Sequence, residues 1–310
     1  MTCAVAEAVM NGGERDDFID AMKKYGRMYP DAGYGGRFGT WVFSDDREPY
    51  NSYGNGSAMR VSPCAWMMDC GFCARTGMWP SNGRERAKTS AEVTHNHPEG
   101  IKGAMATADA IFMCRYYFGG YYGDYEQPIN DDPAECKRRI KEHIENEYGY
   151  DLSKTLDEIR PTYRFNETCQ DTVPQAIIAF LESTDFEDAI RKAVSLGADA
   201  DTLGAIFGSI AEHIWGIPDD LKDKAMSYLT EEMRKVVDEF YLALENKETY
   251  KPEGKKIRQT ESMMFWKLGA GNMGKFFNME NPMPDKAVKA TKDSWQTKEM
   301  PMDDAADIPM

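Results

Sequence analysis

The stretch Leu203-Gly204-Ala205-Ile206-Phe207-Gly208-Ser209-Ile210-Ala211-Glu212-His213-Ile214 sets Leu203, Ile206, Phe207, Ile210 and Ile214 at helical spacing. Residues three and four apart share one side of an α-helix, so these five form an apolar stripe facing a core. Gly216 is a stop signal and Pro218 follows it. Gly204 and Gly208 lie on the same helix and, lacking side chains, are expected to let a neighbouring helix approach closely.

The pattern repeats on both sides. Thr172-Val173-Pro174-Gln175-Ala176-Ile177-Ile178-Ala179-Phe180-Leu181 reads as a helix with Thr172 as N-cap and Pro174 in its first turn, where a missing N–H costs nothing. A second helix begins near Asp185, sets Phe186, Ala189, Ile190, Ala193 and Val194 on one face, and ends at Gly197 in a left-handed cap. After Thr230, another stripe of Met233, Val236, Val237, Phe240, Tyr241 and Leu244 completes the body. No comparable period-two alternation stands out, so the fold class is all-α, a compact multi-helix domain.

Periodicity stops at Asn246-Lys247, which divides the chain into a helical domain, 1–246, and a C-terminal extension, 247–310. The extension carries Pro252, Pro282, Pro284, Pro301 and Pro309 among Lys, Asp and Met, a composition poorly suited to a core of its own. It reads as largely extended, with Met263-Met264-Phe265-Trp266 and Phe276-Phe277 as pieces apolar enough to dock elsewhere. Gly269-Ala270-Gly271-Asn272-Met273-Gly274 has the G-x-G-x-x-G form of a dinucleotide loop but lacks the strand and helix that make the motif work, and reads as a Gly-rich turn.

Composition excludes some functions. The formal net charge of -15 repels polyphosphate backbones, so direct nucleic-acid binding is not expected. No apolar run approaches the roughly 20 residues that span a bilayer, and Met1–Glu7 has no basic leader, so no membrane association and a cytoplasmic location are expected. The seven scattered cysteines point to reduced thiols. Cys70 and Cys73, with Cys64 nearby, have C-x-x-C spacing without a second pair and read as ordinary thiols.

Three segments could carry chemistry. Gly197-Ala198-Asp199-Ala200-Asp201-Thr202 sets two carboxylates and a hydroxyl at a helix start. Oxygen donors of this kind suit a hard cation such as Mg²⁺ or Mn²⁺, although an N-cap at Asp199 and a first-turn charge at Asp201 explain the same residues. Tyr53-Gly54-Asn55-Gly56-Ser57-Ala58-Met59-Arg60 is a small-residue loop whose successive N–H groups could cradle an anion, or an ordinary tight turn. Thr94-His95-Asn96-His97-Pro98-Glu99 ends one helix and opens another, with Pro98 in the first turn. Its histidines suit phosphate or ribose hydrogen bonding, and each singly also suits a structural role.

Together, in this order and spacing, the three segments resemble the ADP-ribosylglycohydrolase family, over roughly residues 1–245. The resemblance implies an all-α domain with two Mg²⁺ or Mn²⁺ ions in a cleft, acting on an ADP-ribosylated protein or small molecule. It assigns Asp199, Asp201 and Thr202 as metal ligands and Gly54, Asn55, Gly56, Ser57, His95 and His97 as substrate contacts. The family pattern also has a Gly-Asp segment and a Thr-Asp-Asp metal motif immediately before a helix like Met1–Ala8, and this sequence begins at that helix. Half the metal ligands and the general base are therefore expected upstream. The implied function is hydrolysis of the bond to ADP-ribose, and the alternative is a catalytically impaired ADP-ribose-binding protein.

Overall fold

A computed structural model describes residues 1–68, 81–117 and 132–245. Cys70 and Cys73, residues 247–310 and their Gly-rich turn lie outside the described residues. Among the described residues there are fourteen helices: α1 (Thr2–Met10), α2 (Arg15–Met28), α3 (Gly36–Phe43), α4 (Gly56–Met59), α5 (Ser62–Trp66), α6 (Ser81–Glu92), α7 (Pro98–Tyr117), α8 (Pro133–Tyr148), α9 (Leu156–Ile159), α10 (Cys169–Glu182), α11 (Phe186–Ser195), α12 (Ala200–Trp215), α13 (Asp219–Ser227) and α14 (Glu231–Glu245). The β-structure among them is an isolated antiparallel bridge between Gly54 and Thr168. The all-α expectation holds.

α7 is the axis of the molecule, packed by α4, α5, α6, α8, α10 and α12. A helix contacted on every side needs small or apolar residues all round. Here Gly100, Gly103, Ala104, Ala106, Ala108 and Ala110 let the surrounding backbones close in. A Cβ on Gly103 would lie 2.5 Å from Cys169 Sγ, and one on Gly100 would lie 2.7 Å from Ser52 O. The first turn of α7 therefore packs directly against the loop before α4 and the start of α10.

Farther along α7, the fully buried Asp109 carboxylate binds three helices together. It pairs with Arg84 of α6, accepts from Tyr148 at the end of α8, and lies 2.9 Å from His143 Nε2, also on α8. Burial pushes this carboxyl up, but Arg84 and His143 outweigh it and hold the group well below the usual carboxylate range. A charge this deep is tolerated only because each oxygen has a partner.

The second half of the chain packs α10, α11 and α12 against one another. Asp185 caps α11 through Asp188 N at 2.8 Å, Gly197 and Gly216 take φ of +71° and +70°, and Leu203, Ile206, Phe207, Ile210 and Ile214 are buried as their spacing requires. Three local expectations are corrected. α10 begins at Cys169 with Thr168 as N-cap, so Pro174 lies inside the helix. The early start is set from outside, because Cys169 N donates to Tyr53 O at 3.0 Å and thereby starts the helix beside the bridge. Val194 is half exposed, at the edge of the α11 stripe. Gly204 faces open space, with nothing within 4 Å of the position its Cβ would take, while Gly208 makes an ordinary 3.6 Å contact with Ile190.

Candidate functional site

The Gly54–Ser57 segment is held from three directions. Its backbone bonds to the strand-like approach to α10, with Asn55 N donating to Glu167 O at 2.7 Å. Gly54 N donates to Ser52 Oγ at 3.1 Å, so two amides of the expected anion cradle are used within the protein. Gly56 to Met59 forms one helical turn, α4, instead of continuing as a loop. Ser57 is fully buried and its hydroxyl donates to Gly100 O at 2.7 Å, which joins α4 to α7. What this segment leaves for a ligand is the backbone at the partly exposed Gly54 and Gly56.

Asn55 connects this segment to the carboxylates. Its buried Nδ2 donates to Thr172 Oγ1 at 3.1 Å and to Asp199 Oδ2 at 2.6 Å, using both amide hydrogens. Asp199 occupies the N-cap position of α12, yet its side chain makes no capping bond. The turn before it is unusual: Gly197 and Ala198 both have positive φ, +71° and +56°. For alanine this conformation costs about 1–2 kcal/mol. The left-handed pair reverses the chain between α11 and α12 and brings the Asp199 carboxylate to Asn55.

Asp201, exposed, and Thr202, buried, follow in the first turn of α12, close enough to Asp199 to influence its carboxyl. Burial pushes the Asp199 carboxyl up, Asn55 opposes that, and Asp201 adds to it. Two crowded carboxylates beside a hydroxyl form an all-oxygen donor set, which fits a hard divalent cation in kind. Thr202 Oγ1 also lies 3.4 Å from Met59 Sδ, linking α12 to α4. Among the described residues no group of three or more His, Cys, Asp or Glu side chains is placed to hold a metal ion. Asp199, Asp201 and Thr202 thus form a partial set of oxygen donors.

His95 is buried beneath the glycines. Its Nε2 lies 3.5 Å from the position of a Gly54 Cβ and 3.4 Å from that of a Gly56 Cβ, so a side chain at either place would rest against it in van der Waals contact. Burial, then the charges of Arg60 and Arg37, lower its pKa well below the ordinary histidine value, and the ring is neutral at pH 7. His97 is placed differently. Its Nδ1 accepts from Glu99 N at 3.1 Å, making it a cap for α7, and its ring meets the half-exposed Tyr53 edge-on at 5.4 Å.

Sequence reasoning missed Tyr163 and Thr172 as neighbours of this site. Thr172 bonds to Asn55, and Tyr163, pushed up to about 12 mainly by burial, lies near Asp199. Neither belongs to a functional motif: Thr172 reads only as a helix N-cap, and no local pattern marks Tyr163. Tyr163 also lines a cleft of about 470 Å³ with Tyr150, Gln170, Pro174 and Gln175; Asn55, His95, Asp199 and Thr202 are not part of that cleft.

Fold and site together define an all-α protein in which a carboxylate pair at one helix start meets a glycine segment across a shared amide. A model of the ADP-ribosylglycohydrolase family matches residues 1–250, and the chain belongs to that family. It is 24% identical over 249 residues to the human ADP-ribosylhydrolase ARH3, covering 66% of each chain. It is 30% identical over 165 residues to an uncharacterised protein of Archaeoglobus fulgidus, covering 50% of this chain and 47% of that one. It is 29% identical over 164 residues to the ADP-ribosylarginine hydrolase Tri1 of Pseudomonas putida, covering 53% of this chain and 39% of Tri1. The chain therefore spans between 39% and 66% of the length of these relatives. A solved ADP-ribosylglycohydrolase-related protein complex shares the fold, with a TM-score of 0.53 at 23% identity over 79% of this chain and 78% of that one. Among the described residues no helix is long and apolar enough to cross a membrane.

Proposed function

We propose that this chain is a metal-dependent ADP-ribosylglycohydrolase that hydrolyses the glycosidic bond joining ADP-ribose to a protein or small molecule. The observation that carries the reading is the Asn55–Asp199 bond of 2.6 Å, which joins the two segments that the family pattern assigns to substrate and metal. In this reading Asp199, Asp201 and Thr202 hold Mg²⁺ or Mn²⁺. The bound ion would orient ribose hydroxyls and lower the pKa of a coordinated water.

The chain's own residues set the geometry. Asn55 fixes one oxygen of Asp199 and leaves the other for coordination. Gly54 and Gly56 keep a side-chain-free surface against which the diphosphate can rest, and His95 offers a ring nitrogen at that surface. Ser57 and Thr172 brace the segment from behind, through Gly100 O and Asn55. His97 sets the first turn of α7 and presents Tyr53 at the rim. The substrates are ADP-ribosylated molecules, nucleic acid is disfavoured by the net charge of -15, and the cytoplasm is the place of action.

The experiment is release of ADP-ribose from ADP-ribosyl-arginine and ADP-ribosyl-serine peptides with Mg²⁺ or Mn²⁺, in the wild type and in Asp199→Asn. Metal-dependent release that the substitution abolishes supports the reading. ADP-ribose binding without release by the wild type would instead make the chain an ADP-ribose binder.

A further inference from the structure

Behind the glycine segment, Arg60, Thr94 and His95 form a hydrogen-bonded chain. Arg60 is 2% exposed, and its Nη2 donates to Thr94 Oγ1 at 2.8 Å. The same oxygen lies 2.7 Å from His95 Nδ1. Burial lowers the guanidinium only to about 10, so it is charged at neutral pH. The Tyr50 phenol, pushed up by burial, lies beside this chain, its ring centroid 6.1 Å from that of His95.

A threonine hydroxyl has one hydrogen and two acceptor positions, and arginine only donates. Two arrangements are open to these groups. In one, Arg60 donates to Thr94, and the hydroxyl hydrogen goes to His95 Nδ1. In the other, Arg60 and His95 Nδ1 both donate to Thr94, and the hydroxyl hydrogen turns away from the ring. They differ in whether Nδ1 presents a lone pair or an N–H toward the positive guanidinium. At low local dielectric the lone pair is strongly favoured there, and donors aligned in one direction reinforce one another.

We propose that Arg60 and Thr94 are positioning residues that hold His95 as its Nε2–H tautomer, making Nε2 a neutral donor to an anionic oxygen at the Gly54–Gly56 backbone. Nε2 makes no hydrogen bond among the described residues and sits against the two glycines where a side chain would cover it. The ligand class is a nucleoside diphosphate sugar, an identification that rests on the function proposed above. The tautomer does not rest on it.

The test is a two-bond ¹H–¹⁵N correlation of the histidine rings in the unliganded protein at pH 7, with His95 assigned among the four histidines by His95→Gln. The wild type should show His95 with its proton on Nε2. Thr94→Ser should keep that signature, while Thr94→Val should move His95 to the Nδ1–H form or to a mixture. ADP-ribose affinity should fall roughly tenfold in Thr94→Val and recover in Thr94→Ser. An Nδ1–H ring in the wild type overturns the proposal without needing any variant. An unchanged tautomer in Thr94→Val overturns the role of Thr94. Wild-type protein with the Nε2–H ring but no ADP-ribose binding would refute the proposed function and leave the relay standing.

Discussion

Asn55 and Asp199 stand 144 positions apart and are joined by a 2.6 Å hydrogen bond, and the other amide hydrogen of Asn55 goes to Thr172. One side chain thus ties the glycine segment to the starts of both α10 and α12.

Replacing Asn55 by alanine removes a donor from the half-buried Asp199 and from the buried Thr172. A loss of about 1–3 kcal/mol is expected from an unsatisfied polar pair. Thermal melting should register that loss, and the rate of ADP-ribose release should fall further than the stability change accounts for. Full activity with a lowered melting temperature would confine Asn55 to a structural part.

Mg²⁺ or Mn²⁺ should raise the melting temperature, because a ligand bound to the folded state alone stabilises it by mass action, about 2.7 kcal/mol at a hundred times Kd. The same titration on Asp201→Ala should give a much smaller rise. Equal shifts for both proteins would place the ion elsewhere.

Asp109→Asn should destabilise the fold by about 1–3 kcal/mol, since the largely buried Arg84 loses its short ion pair while the longer one to Glu147, at 3.9 Å, remains. Replacing Asp109 and Arg84 together by apolar residues should recover much of the loss. Urea denaturation of the single and double variants checks this, and an additive double variant would contradict a coupled pair.

Stability should fall as pH drops below about 6.5. His95 is buried and His213 partly so, and burial lowers the pKa of each well below the ordinary 6.5, so the unfolded chain takes up protons that the folded one refuses. The sign is fixed by that order: stability rises with pH through the window below 6.5. Asp109 acts at lower pH, because its depressed value keeps its contribution until pH falls below about 3.8. Denaturation at stepped pH should show the histidine limb first, and His213→Phe, which keeps a ring against Trp66, should flatten part of it. A flat profile from pH 8 to pH 5 would contradict both rings being held neutral in the folded protein.

Much of the helical body is legible locally. The α12 stripe, the Asp185 cap, the stops at Gly197 and Gly216 and the opening of α7 at Pro98 all follow from periodicity and terminal chemistry within a few residues. Asp199, Asp201 and Thr202 are legible too, as oxygen donors at a helix start, and with the other two segments they identify the family. The central place of α7 is not, because a helix packed on all sides has no polar stripe to reveal its orientation.

The sequence by itself therefore determined the all-α class, the order of the C-terminal helices and the residues worth watching, since each depends on neighbours one or two turns away. Tertiary structure alone decided that α10 starts at Cys169, that Gly204 faces open space and that Asn55 serves Asp199 and Thr172. It also decided that Arg84, His143 and Tyr148 meet on Asp109. The physical reason is one of range. Caps and stripes are set by bonds along a single helix, whereas a buried donor or charge takes whatever partner the packing of distant helices brings within 3 Å or so.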